Sequence, residues 1–333
     1  MLRTAVLIAA VLVHALAVIS ATTLSQSWRA FLGLIDYPHI YSNNAHQDQS
    51  LTAGTDIIVF GDSLSDSGNL KRLTFGFFPR PKDTYFDGRL TNGKLWPEYI
   101  VHSRNDFRVI NFALGGTTAC MFSGTPVFAL PQLSFQTSKY NDFRRNHKSR
   151  RKVFILEMGG VDYIGRHLFK PQLSRKNTPT DVVNCMMRQV RKLQSSGAES
   201  VVVMNLPPLY VTPAIGTIIP AEEKETLENT VREHNRVLEE AIEKENQKSE
   251  SSKIHVFDVH GFFLRILESP SDYGFKITDK SCVVMNRQMD KEIDRCLNPD
   301  IYLHWDPLHP TTRAHYYWAE DLLSFLVEKK LVK

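Results

Sequence analysis

Short apolar runs alternate with longer amphipathic stretches along most of the chain, and the two periods together predict an α/β protein. Residues 56–60, 108–112, 153–157, 200–204 and 254–258 are mainly β-branched or aromatic and read as strands. Between them, residues 96–103, about 180–195, 221–248 and 312–328 read as helices. In the third, Leu227, Val231, Leu238 and Ala241 fall on one stripe of a heavily charged segment, the pattern of a surface helix laid on a sheet. Strands and helices in alternation predict a five-stranded, mainly parallel sheet with helices on both faces. Residues 22–54 carry only weak periodicity and read as a loosely ordered lead-in.

The strand ends carry the chemistry, because in open α/β sheets the ligand crevice lies beyond the carboxyl ends of the strands. The run ending at Phe60 stops abruptly in Gly61-Asp62-Ser63-Leu64-Ser65-Asp66-Ser67-Gly68-Asn69. That turn sets the Ser63 hydroxyl at a sheet edge, beside a helix start whose free N–H groups favour negative charge. A serine is a weak nucleophile until a positioned base takes its proton. A candidate base lies near the other end of the chain, in Asp306-Pro307-Leu308-His309-Pro310, where an Asp three residues before a His can fold back onto one imidazole nitrogen while the other faces a serine. The chain order Ser, Asp, His suits a serine hydrolase, but Ser65 stands where the Gly-x-Ser-x-Gly elbow needs its second glycine, so an architecture other than the α/β-hydrolase is required.

These two blocks resemble those of the GDSL, or SGNH, esterase and lipase family. The resemblance extends over most of the chain: Gly88-Arg89-Leu90-Thr91-Asn92-Gly93-Lys94-Leu95-Trp96-Pro97-Glu98-Tyr99, Asn111-Phe112-Ala113-Leu114-Gly115-Gly116, Asn205-Leu206-Pro207-Pro208-Leu209 and the His234-Asn235 pair are similar to segments of its long, plant-like branch. It implies a three-layer, flavodoxin-like fold, Ser63 as nucleophile, His309 as base, Asp306 as the residue that orients it, and the backbone N–H groups of Ser63 and Gly116 as oxyanion donors. One position departs from the pattern. The family's third block reads Gly-x-Asn-Asp, with the Asn side chain donating to the oxyanion, and here Gly159-Gly160-Val161-Asp162 places a valine there. Loss of one such donor typically costs about 10²–10³ in rate, which leaves a slower enzyme, a substitute donor from a nearby side chain or a drifted chemistry, with the substitute donor expected first. Asp162 is expected to cap the helix after the third strand, His304 to line the site, and the aromatic set Phe75, Phe77, Phe78, Tyr85 and Phe86 to line an acyl pocket, with core packing as the alternative.

Composition narrows the setting. At 333 residues with 42% hydrophobic and 23% charged content, the chain is long enough for one large α/β domain, expected at 55–330. A formal net charge of +4 falls short of a nucleic-acid binder, and no nucleic-acid module is present. Arg3 followed by an apolar run from Ala5 to Ile19 and small residues at Ser20 and Ala21 reads as a signal peptide over 1–21, with an uncleaved anchor as the alternative; no later segment approaches spanning length. An exported chain permits disulfides. Cys282 and Cys296 bracket a polar loop leading to Asp306 and His309 and are the expected pair, while Cys120 and Cys185 are left as either a second pair or two buried thiols. With no Cys-x₂-Cys to complete a site with His304 and His309, neither zinc nor another cofactor is called for. The basic run Arg144, Arg145, Lys148, Arg150, Arg151 and Lys152 reads as a solvated turn, with weak contact to anionic lipid as the alternative. The reading is a secreted serine esterase acting on a lipid or acylated-carbohydrate ester through an acyl-enzyme. An acyltransferase using the same residues, or a non-catalytic binding protein on the same scaffold, are its rivals.

Overall fold

The computed structural model describes residues 37–43, 54–120, 132–146, 150–169, 177–248 and 252–332. The expected signal peptide and most of the lead-in lie outside them. The expected strands are present, each within two residues of its sequence-derived bounds: β2 (Thr55–Phe60), β3 (Phe107–Asn111), β4 (Arg151–Leu156), β5 (Ser200–Met204) and β6 (Lys253–Phe257). Preceding them is β1 (His39–Ser42), which pairs antiparallel with β3 from His39↔Asn111 to Ser42↔Arg108. The sheet therefore has six strands rather than five, in the order β1-β3-β2-β4-β5-β6. Four half-exposed residues at a sheet edge give too short an alternation to stand out in a sequence, and the hydroxyl of Tyr37, which donates to the Phe112 carbonyl at 3.0 Å, helps to seat them.

Leaving out that edge, the parallel strands run second, first, third, fourth, fifth, which is the doubly wound flavodoxin-like order whose switch point falls between the first and third. Here those are β2 and β4. All six residues of β2 are buried, as expected for a strand covered on both faces. Alternation along the strands sorts the side chains into two cores. Ile58, Phe60, Ile110, Phe112, Phe154 and Leu156 face α3 (Leu133–Phe143), α5 (Pro179–Ser195) and α6 (Lys224–Asn246). Ile57, Val59, Val109, Val153 and Ile155 face α2 (Trp96–Ser103), α7 (Val259–Glu268) and α8 (Thr312–Glu328). Each such aliphatic or aromatic side chain contributes roughly 1.5–3 kcal/mol when taken out of water. Two further helices, α1 (Asn69–Leu73) and α4 (Gly160–Phe169), follow β2 and β4 at the switch point.

At the opposite end of the sheet, buried Asp56 accepts from Arg108 at 2.8 Å and from Arg150 at 2.7 Å. Arg144 donates to the Ser196 carbonyl and Arg151 to that of Lys330, so half of the basic run ties the fold together rather than facing solvent freely. Lys148 lies outside the described residues.

Both cysteine pairs are disulfides. Cys120–Cys185 joins the segment after β3 to α5. Cys282–Cys296 closes what the sequence suggests is a polar loop and the structure shows to be an antiparallel hairpin of β8 (Val283–Met285) and β9 (Glu292–Arg295). Beside it, β7 (Ile277–Ser281) pairs parallel with β10 (Tyr302–His304). Among the described residues no helix is long and apolar enough to cross a membrane.

Candidate active site

The turn after β2 is held from several sides. Gly61 admits no side chain: a Cβ there would meet the Ser65 Cβ at 2.8 Å and the Glu157 carboxylate at 3.0 Å. Its N–H donates to Gln136 Oε1 at 3.0 Å, and Gln136 Nε2 donates back to its carbonyl at 2.8 Å. Asp62 Oδ1 accepts the Leu64 N–H at 3.1 Å, an Asx-type turn around Ser63. Asp66 then accepts the N–H groups of Gly68, Asn69 and Leu70, which start α1, and that of Gly115 at 2.8 Å. One carboxylate thus fastens the turn after β2 to the turn after β3. Burial pushes Asp66 up to about 6 against the pull of those N–H groups.

The other half comes from the loop between β10 and α8. His309 Nε2 lies 2.9 Å from Ser63 Oγ. His309 Nδ1 lies 2.7 Å and 2.9 Å from the two oxygens of Asp306. Asp306 is fully buried, and its Oδ1 also accepts the N–H groups of Leu308 and His309, each at 2.8 Å. Burial alone would raise its carboxyl, but the His309 charge and these hydrogen bonds outweigh it and hold Asp306 below the usual carboxylate range. An ionised Asp306 accepts from Nδ1–H, which leaves the Nε2 lone pair facing the Ser63 hydroxyl.

Tyr85 also serves this carboxylate, its buried hydroxyl donating to Asp306 Oδ2 at 2.8 Å. The sequence reading placed Tyr85 in an aromatic pocket; of that set, Phe75, Phe78 and Phe86 are exposed, and Tyr85 alone reaches the Asp306 carboxylate. Trp305 Nε1 donates to the Thr84 carbonyl at 3.1 Å, and the disulfide hairpin bonds the same loop through Cys282 N–H to the His304 carbonyl and Val283 N–H to that of Trp305. His304 is buried with neither ring nitrogen hydrogen-bonded among the described residues, and burial lowers it to about 4, so it stays neutral. It lines an apolar cleft together with Leu64, Pro207, Pro208, Leu209 and Leu308.

Gly116 sits in the turn after β3 with φ of 79°, a left-handed value that favours glycine. Neither its N–H nor that of Ser63 donates a hydrogen bond among the described residues, which leaves both for a ligand oxygen. Val161 is buried at the start of α4 and offers no donor. Four side-chain amides are engaged elsewhere: Asn69 with the carbonyls of Asn111 and Ala113, Asn111 with Ser65 and Ser67, Gln136 with Gly61 and Thr117, Asn235 with Leu206; Asn177 Nδ2, in a cleft shared with Asp162 and Tyr163, is buried without a partner among the described residues. Asp162 does not cap its helix in the expected way. Its carboxylate accepts the N–H groups of Ala119 at 2.7 Å and Cys120 at 3.1 Å, anchoring the segment after Gly116, and burial pushes it up to about 7.

Residues 57–322 match the model of the GDSL-like lipase/acylhydrolase family, and the chain belongs to that family. It is accordingly a carboxylic ester hydrolase by class. Among curated relatives, it is 27% identical to the thermolabile hemolysin of Vibrio parahaemolyticus over 86% of this chain and 67% of that one. It is 27% identical to a GDSL esterase/lipase of Arabidopsis thaliana over 80% of this chain and 90% of that one. It is 23% identical to the phosphatidylcholine-sterol acyltransferase of Aeromonas hydrophila over 81% and 89%. The chain spans 67% and 64% of the length of the first two bacterial relatives it matches.

Proposed function

We propose that the protein is a secreted serine esterase that cleaves carboxylic esters through an acyl-enzyme on Ser63, with residues 1–21 as its export signal. The observation that carries this reading is the continuous chain from Ser63 Oγ through His309 to buried Asp306, with links of 2.9 Å and 2.7 Å. In the mechanism, His309 Nε2 takes the Ser63 proton as Oγ attacks the ester carbonyl, and Asp306 stabilises the imidazolium. The Ser63 and Gly116 N–H groups receive the oxyanion. His309 returns the proton to the leaving alkoxide, and water, deprotonated by the same imidazole, releases the acid. The two disulfides support an extracellular setting, where such bonds persist. The apolar cleft lined by Leu64 and Leu308, each next to a reacting residue, favours an ester with an apolar acyl group.

Reaction of the purified protein with a fluorophosphonate probe and mapping of the modified residue tests the reading. Label on Ser63 and p-nitrophenyl ester turnover are expected in the wild type, with both absent in Ser63→Ala. Turnover that survives that substitution, or label on another residue, refutes it. The likeness to an acyltransferase supports a second reading in which an alcohol intercepts the acyl-enzyme; ester products formed with an added sterol or alcohol acceptor would distinguish it from hydrolysis.

A further inference from the structure

The Ser63, His309 and Asp306 chemistry leaves two buried acids beneath the nucleophile turn without a role. Glu157 follows the last residue of β4, is 3% exposed, and its N–H donates to the Phe60 carbonyl, so its side chain is delivered under the turn by the sheet itself. Its Oε2 accepts from Ser65 Oγ at 2.9 Å and more weakly from the Asp62 N–H at 3.4 Å. The Ser65 hydroxyl is oriented in turn by Trp96 Nε1 at 3.1 Å. Asp62, also 3% exposed, is in hydrogen-bond contact with Glu157 through its own carboxyl while Oδ1 accepts the Leu64 N–H. Neither acid pairs with Lys or Arg among the described residues. The titratable groups facing them are His309 from the loop before α8 and Asp66 from the turn itself, with Asp162 of α4 nearby and neutral Gln136 of α3 on Gly61.

We propose that Asp62 and Glu157 act as a positioning pair that holds one proton between them and thereby keeps the Ser63 N–H aimed at the oxyanion. The inference rests on the reading of Ser63 as nucleophile. Two carboxyls in contact inside a protein cannot both ionise without strong repulsion. Burial, with the Asp62 charge adding to it, holds Glu157 far above the carboxylate range. Asp62 rises only to about 6, because burial is opposed by the Leu64 N–H, the His309 charge and the Glu157 hydrogen. At neutral pH the proton therefore sits on Glu157 and is donated to the Asp62 carboxylate. The pair and the Asp62 carbonyl then engage the N–H groups of residues 62, 64 and 65, and of that run only the Ser63 N–H is left for a ligand. With Val161 in place of an amide donor, oxyanion binding rests on backbone geometry, and that geometry rests on the pair. Losing the proton sets two anions face to face and pushes the turn apart.

The test is the pH profile of kcat and KM for a soluble p-nitrophenyl ester, from pH 6 to about 9.5, on the full mature chain. The wild type is expected to lose kcat reversibly by about tenfold or more towards the alkaline end, with KM changed less than about twofold. Glu157→Gln keeps a donor to Asp62 and an acceptor for Ser65 but cannot ionise; it should hold kcat within about threefold at neutral pH and stay flat to alkaline pH. Glu157→Leu should lower kcat by about 10² at every pH. Should it fail to fold, the comparison of wild type with Glu157→Gln decides alone. A wild-type profile with no alkaline loss, or one that coincides with that of Glu157→Gln, overturns the proposal. Fluorophosphonate labelling separates the failures: label absent from Ser63 in the wild type refutes the nucleophile reading, whereas label on Ser63 with coincident profiles refutes the pair alone.

Discussion

The nucleophilic role proposed for Ser63 rests on surroundings that divide the work. One side supplies a base held at 2.9 Å by an acid that is itself fixed by two backbone N–H groups and a tyrosine, and the other supplies two unengaged N–H groups. Val161 marks the weak point of that arrangement. Restoring a side-chain donor with Val161→Asn should raise kcat, by up to about 10² if the amide reaches the oxyanion, with KM little altered; steady-state kinetics on one ester check this, and an unchanged or lower kcat shows that the backbone donors already suffice. Ser63, Asp306 and His309 could be read from the sequence because their spacing is local within each block and their chemistry is restrictive. Glu157 and Tyr85 could not, since each acts across a distance of many residues. The one available hint was an acid at the end of an apolar run, Val153 to Leu156, where a buried charge demands a partner.

Among the elements, the hairpin β8–β9 shows how a secondary feature supports a primary one. It bonds directly to the backbone of His304 and Trp305, immediately before Asp306. Removing its tie with Cys282→Ala and Cys296→Ala together opens a loop of 14 residues in separation and should cost about 3 kcal/mol in chain entropy. Thermal melting should register that loss, and kcat should fall more than KM rises, because the loop that carries His309 loses its backing. A melting temperature equal to that of the wild type would show that β7–β10 pairing suffices. The parallel strands were legible because strands covered on both faces are continuous apolar runs. The hairpin was not: Val284 and Ile293 are exposed, so its apolar residues do not mark a core face. Helices α3 and α7 were likewise unmarked, being short or, in α3, largely polar at the surface.

At the scale of the whole molecule, burial sets how folding responds to acid. His315 is stacked on Trp318 with ring centroids 5.7 Å apart, and neither of its nitrogens has a hydrogen-bond partner among the described residues. Burial, reinforced by the His309 charge, lowers it to about 3. Because its folded value lies below the unfolded one, its contribution is fully present above about pH 6.5 and is lost as pH falls towards 3. At pH 5 the unfolded chain gains about 2 kcal/mol by protonating it. The buried carboxyls Asp62, Asp66 and Asp162, raised to about 6, 6 and 7, act in the opposite sense over the same window, losing stability as pH rises. A single substitution isolates one term: His315→Leu should shrink the drop in melting temperature between pH 7.5 and pH 5, and an equal drop in both proteins would mean that His315 is protonated in the fold.

The outermost strand, His39–Ser42, lies well ahead of residue 57, where the family match begins. A gene fragment cut to the matched span would strip β3 of the neighbour that occupies its outer rim. Bare backbone donors and acceptors along Phe107–Asn111 would then recruit strands from other copies. For anyone preparing this enzyme, the short stretch from Tyr37 to Ser42 decides whether the product stays dispersed or precipitates.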